Sequence, residues 1–139
     1  MKKLINTSGL YAILALISGV FYREFTKFNQ FDGRTTLSFL HVHLFVLGMM
    51  FFLVAALMEQ VFSLSLDRKF RRFYLLYNAG MAVSFLTMAV RGVGQALLTE
   101  WPRGLDASIS GVSGIGHILL AAGLYFFFTA LRARASVSS

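Results

Sequence analysis

Four long stretches of this 139-residue chain are almost free of charge and dense in Leu, Phe, Val, Ala and Ile. They cover residues 5–22, 37–62, 73–98 and 112–131. Each is long enough, as a helix, to cross roughly 30 Å of hydrocarbon. Backbone N–H and C=O groups at that depth meet no water, so each stretch must close its own hydrogen bonds. The expected fold class is therefore all-α: a four-helix transmembrane bundle forming a single domain over residues 1–139. With 57% hydrophobic residues, the chain has no room for a second, soluble domain.

Lys2 and Lys3 ahead of the first stretch imitate the start of a secretory signal. Residues 19–24, GVFYRE, offer no small-x-small cleavage site, so the stretch reads as a retained helix, and residues 133–139 as a frayed tail. The loops then orient the bundle. One side carries Lys2, Lys3, Arg68, Lys69, Arg71, Arg72, Arg132 and Arg134 against Asp67 and Glu59. The other carries Arg23, Lys27, Arg34 and Arg103, offset by Glu24, Asp32, Glu100 and Asp106. The basic side reads as cytoplasmic, with both termini inside, in a multi-pass protein of the bacterial inner membrane. The net charge of +7 belongs to these flanks, so the lipid bilayer is the expected partner and nucleic acid is not. The absence of cysteine excludes disulfides, thiolate metal sites, iron–sulfur clusters and covalent c-type haem attachment.

Of the three histidines, His41 and His43 sit two residues apart in the second stretch. On a helix that spacing turns the two rings about 200° from one another, so the pair suits two sites, one on each flank. In the expected topology both lie in the outer third of the second helix. Arg91 lies about two turns before the outer end of the third, and His117 in the first turns of the fourth. All four polar groups collect in the outer leaflet, and polar rings at membrane depth usually mark a ligand or an ion path.

A b-type haem suits this inventory. Its iron takes imidazoles, its macrocycle an apolar slot, and its propionates cationic partners. His41 and His43 supply the rings and are the expected metal ligands, the phenylalanines with Met49 and Met50 the walls, and Arg91 with Arg23 the cations. His117 follows a small-residue stretch, 110–116, that lets helices approach closely. It reads as a cofactor-binding residue that orients a ligand, with direct ligation as the alternative. Because the paired rings diverge, the economical arrangement is a closed homo-oligomer in which each haem takes His41 from one subunit and His43 from its neighbour. With both axial positions filled, electron transfer or redox sensing is expected, with a quinol or another redox partner, and no catalytic residue is assigned. Two other classes compete. One is a copper- or zinc-binding protein for metal handling, since imidazole suits all three metals. The other is a cofactor-free structural protein using the glycine-rich fourth helix as an association face.

The run His41-Val-His43-Leu-Phe-Val-Leu-Gly-Met resembles the His-x-His-aromatic run in the tenth helix of haem–copper oxidase subunit I. There the two histidines ligate different haems on opposite sides of one helix. Subunit I is built of three pseudo-repeats of four helices. This chain is similar to one such repeat, which implies a homotrimer. The resemblance also implies that Arg91, in the third helix, holds propionates. Through VFYREFTKF at 20–28, the His-x-His helix and Gly114-Ile-Gly-His117, the chain further resembles a small uncharacterised bacterial family of four-helix membrane proteins. It departs from the oxidases in having no His-His pair and no histidine in the third helix, so their copper site has no counterpart. His117 from several subunits is one arrangement that could still hold a copper, and oxygen or nitric oxide reduction is not implied.

Overall fold

The computed structural model describes residues 1–97 and 102–138. Four helices follow in chain order: α1 (Lys2–Phe28), α2 (Leu37–Phe62), α3 (Arg68–Leu97) and α4 (Arg103–Ser138). All four are long and apolar enough to cross a membrane, as the sequence predicts, which makes this a multi-pass membrane protein. Leu98, the expected end of the third span, Glu100, among the outer-loop charges, and the terminal Ser139 lie outside the described residues.

Three of the helices outrun the apolar stretches. α1 continues to Phe28 rather than stopping at Tyr22, α3 begins at Arg68 rather than Phe73, and α4 begins at Arg103 rather than Val112. α4 also stays helical to Ser138 where a frayed tail is expected. Apolarity reports the hydrocarbon-crossing part of a helix, whereas Lys, Arg, Glu and Ala extend the same backbone into the interface at little cost. His117 consequently sits about four turns into α4 rather than in its first turns.

α3 and α4 form the closest pair, and glycines set the distance. A Cβ on Gly80 would lie 2.8 Å from the Gly116 carbonyl oxygen, and one on Gly123 would lie 2.9 Å from Tyr77 Cβ. Only hydrogen at these positions lets the two backbones meet. α1 runs along the whole of α2. The pairs join around an aromatic core near the end that holds the termini, where Phe51, Phe52, Phe73, Tyr77 and Phe127 interlock. Phe51 and Tyr77 stack with ring centroids 4.5 Å apart. Two side-chain bonds tie α1 to α3: Thr7 Oγ1 to the Tyr74 hydroxyl at 2.7 Å, and the Tyr11 hydroxyl donating to Asn78 Oδ1 at 2.8 Å.

α2 changes its winding immediately after His43. Residues Leu44–Met50 form a π-helical segment between α-helical pieces. Such segments widen the helix, weaken its hydrogen-bond ladder and concentrate at functional positions. In this apolar setting, side chains of neighbouring helices supply donors to the loosened backbone. The Tyr77 hydroxyl donates to the Leu47 carbonyl at 2.8 Å, and Ser8 Oγ donates to the Met49 carbonyl at 2.8 Å. Gly48 makes the approach of α1 possible, since a Cβ there would fall 2.5 Å from Tyr11 Cγ.

The start of α2 is fixed against α3. Thr36 N donates to Gln95 Oε1 at 2.9 Å, and Thr36 Oγ1 donates to the Met88 carbonyl at 2.9 Å. Leu37 lies over Gly92, where a Cβ would meet Leu37 Cγ at 2.5 Å. These contacts hold the turn that carries both histidines in register with the Met88 turn of α3. At the other end Ser63, left-handed at φ 52°, stops α2, and Asp67 Oδ1 accepts from Lys69 N at 2.8 Å to cap α3.

Candidate functional site

Three helical faces converge on one small pocket, with a cavity volume of about 50 Å³. α2 contributes Leu40, His43, Leu44 and Leu47, and α3 contributes Met81, Ser84, Phe85 and Met88. Both sets follow the i, i+3, i+4, i+7 spacing of a single helix face. α4 adds His117 and Leu120, one turn apart. α4 packs on α2 along Phe51–Phe62, while the Leu37–His43 turn packs on α1 and α3. The pocket is therefore a groove between α2 and α4 with α3 as its floor. Its polar groups are two imidazoles and one hydroxyl; the rest is Leu, Met and Phe.

Both rings are held the same way. His43 Nδ1 lies 3.0 Å from the Phe39 carbonyl oxygen, and His117 Nδ1 lies 2.8 Å from the Ser113 carbonyl oxygen. A carbonyl only accepts, so in the neutral ring Nδ1 carries the proton and Nε2 carries the lone pair. Fixing the tautomer through a backbone carbonyl is how proteins present Nε2 to a metal. Ser84, 7% exposed, has a buried hydroxyl oxygen with no partner among the described residues.

His41 serves the opposite flank. It faces α1, where a Cβ on Gly19 would lie 3.8 Å from His41 Cβ, and its buried Nδ1 has no hydrogen-bond partner among the described residues. The divergence required by the two-residue spacing is thus realised as one ring toward α1 and one toward the groove.

Arg91 stands one turn beyond Met88 and belongs to a different cluster. Its Nη2 donates to Asp106 Oδ1 at 2.8 Å, to the Asp106 carbonyl at 3.2 Å and to Ser110 Oγ. α4 begins early enough to carry Asp106 and Ser110 past Arg91, and for that reason an acidic partner absent from the apolar stretch appears there. Arg91 Nε is buried without a partner among the described residues. Arg23 is exposed near the end of α1, its Nε 3.9 Å from Glu24 Oε1.

His43 and His117 are thus brought to one groove, His41 is set on the other side of α2, and Arg91 and Arg23 stand in separate surroundings. Met81, Ser84 and Met88 are the groove residues that sequence reasoning missed. Their common face on α3 was readable from their spacing, but its orientation toward the histidines was not. Met49 and Met50, the expected haem walls, do not line the groove; Met49 packs against the core and Met50 is exposed. Among the described residues, no group of three or more His, Cys, Asp or Glu side chains comes together.

Neither a curated protein nor a solved structure matches the chain. The family model described as protein of unknown function (DUF2871) matches residues 1–134, and the chain belongs to that family.

Proposed function

We propose that this protein is an integral membrane b-type haem protein that transfers electrons or senses redox state. The observation that carries the reading is the state of His43 and His117. Each spends its Nδ1 proton on a backbone carbonyl, which leaves its Nε2 lone pair unspent by that bond, and both residues line one apolar groove. A haem supplies its own four equatorial nitrogens and asks the protein for axial imidazoles and apolar walls. That demand matches a groove rich in Leu, Met and Phe with two rings. With axial imidazoles on both faces the iron keeps no open position, which suits one-electron exchange with a quinol or another redox partner. The resemblance of the His-x-His run to haem–copper oxidase subunit I supports the same reading and suggests a homotrimer in the bacterial inner membrane with both termini inside.

Copper handling is the second reading, because Met81 and Met88 line the same groove as the two imidazoles and thioethers with imidazole select copper(I). Haem and elemental analysis of the protein purified from haem-replete cells separates the two. Haem near one per subunit supports the first reading, and copper without haem supports the second. Native mass spectrometry of the loaded protein tests the trimer, which a monomer retaining its cofactor contradicts.

A further inference from the structure

We infer that a cavity between the ends of α1, α2 and α3, on the basic side of the bundle, binds the phosphodiester headgroup of an anionic phospholipid, with Lys3 and Arg71 as its cationic partners. The cavity has a volume of about 300 Å³, the size at which small-molecule pockets begin. Lys3 and Leu4 come from the first turn of α1, and Phe70, Arg71, Tyr74 and Leu75 from the first two turns of α3. Glu59 of α2 and Ser65, in the short turn Leu64–Leu66, complete the wall. The apolar stretches of α1 and α3 begin at residues 5 and 73. Lys3 and Arg71 therefore stand just outside the hydrocarbon, and Tyr74 and Leu75 just inside it. That is the depth of lipid headgroups, where tyrosine and basic side chains concentrate.

The charges around the cavity do not cancel. Its carboxylate, Glu59, is taken up by Ser65: Oε2 accepts from Ser65 N at 2.7 Å and Oε1 accepts from Ser65 Oγ. Neither Lys3 nor Arg71 pairs with a carboxylate among the described residues. Lys3 Nζ lies instead 4.0 Å from the centroid of the Tyr74 ring, whose hydroxyl is hydrogen-bonded to Thr7 Oγ1 at 2.7 Å. The ring holds the ammonium beside the cavity wall without neutralising it. Other cations of this end are engaged by the protein, Arg72 over the Phe126 ring and Arg134 through Nε to the Phe62 carbonyl. Two unpaired cations against one bonded carboxylate leave the cavity electropositive. A phosphodiester suits both, as a bidentate partner for the guanidinium and a counter-charge for the ammonium. The apolar wall selects the lipid form of that anion. Leu4 and Phe70 line the cavity beside the cations, and Leu75, 57% exposed, offers the acyl chains of a bound lipid a surface to run along.

The test is native mass spectrometry of the full-length protein in detergent, titrated with phosphatidylglycerol or with phosphatidylcholine. Wild type is expected to retain one phosphatidylglycerol per subunit and to prefer it to phosphatidylcholine by more than about tenfold. Lys3→Gln and Arg71→Gln are each expected to weaken that retention by about fivefold or more. Lys3→Arg keeps the charge and is expected to bind as wild type does. Lys69→Gln and Arg132→Gln remove the same charge from the same end without touching the cavity wall, Lys69 being about 200° around α3 from Arg71. Both are expected to stay within about twofold of wild type. Equal affinity of wild type for the two lipids overturns the site, and so do equal losses in the cavity variants and in Lys69→Gln and Arg132→Gln. Displacement of the bound lipid by an equal concentration of glycerol 3-phosphate shows that the anion alone is held and overturns the lipid assignment.

Discussion

His43 and His117, on different helices and 74 positions apart in sequence, line the same groove with their Nδ1 atoms bound to the carbonyls four residues before them, Phe39 and Ser113. The floor of the groove includes Ser84, whose buried hydroxyl oxygen has no partner among the described residues. A buried polar group without a partner costs about 1–3 kcal/mol. Ser84→Ala is therefore expected to leave the stability of the cofactor-free protein unchanged or raise it slightly, read as the thermal unfolding midpoint in detergent. A fall of several degrees would mean that the hydroxyl is bonded in the folded protein.

The π-helical segment depends on donors from its neighbours. Tyr77→Phe removes the hydroxyl that serves the Leu47 carbonyl, and Ser8→Ala removes the one that serves Met49. Each is expected to destabilise the fold by about 1–3 kcal/mol, because a buried carbonyl loses its partner and apolar surroundings offer no water in exchange. His43 lies directly before this segment, so Tyr77→Phe is also expected to weaken cofactor retention, measured as haem per subunit at equal protein. Unchanged midpoints in both variants would contradict the role given to these bonds.

Glycines of α4 divide into two groups. Gly116 is packed on α3, and a Cβ there would lie 2.7 Å from Ser84 Oγ; Gly80 opposite would place one 2.8 Å from the Gly116 carbonyl. Gly80→Ala is expected to cost about 1–3 kcal/mol through overpacking against backbone that cannot turn away. A Cβ on Gly111 or Gly114 would meet nothing within 4 Å among the described residues, so Ala at either is expected to leave the fold within about 0.5 kcal/mol of wild type. Midpoints of the three variants in one detergent check the contrast, and equal losses in all three would refute it.

Arg91 and Asp106 form a pair whose side chains are 23% and 45% exposed. A pair this open to its surroundings contributes about 0–1 kcal/mol. Asp106→Asn is therefore expected to lower the unfolding midpoint only slightly. If Arg91 also partners propionates, Arg91→Gln is expected to weaken haem retention while leaving the axial ligation, and with it the low-spin spectrum, in place. A complete loss of haem in Arg91→Gln with normal folding would move the arginine from the edge of the site to its centre.

Four helices were legible because uncharged runs of this length have few other folds open to them. Their true lengths were not, since α1, α3 and α4 carry charged, helix-compatible residues beyond the apolar zone. The opposed flanks of His41 and His43 follow from helical geometry alone. The placing of His43 and His117 on one groove depends on how α2 and α4 both pack on α3, and the glycine contacts that bring α3 and α4 close are recorded in no single-helix pattern. The π segment was illegible for a related reason. Its sequence, LFVLGMM, is as apolar as its surroundings, and only Gly48 beneath Tyr11 and the donors Tyr77 and Ser8 on other helices give it away. Asp106 reads as a loop charge in the sequence and becomes the partner of Arg91 once α4 is seen to start at Arg103.

The central claim is that the apolar groove between α2 and α4 binds haem through imidazole. Its most direct measurement is the absorption spectrum of the wild-type protein, purified from haem-replete membranes, before and after dithionite. The expected result is a red preparation whose visible bands sharpen on reduction, as two axial imidazoles on a b-type haem require. A colourless preparation, with no band appearing on reduction, would contradict it.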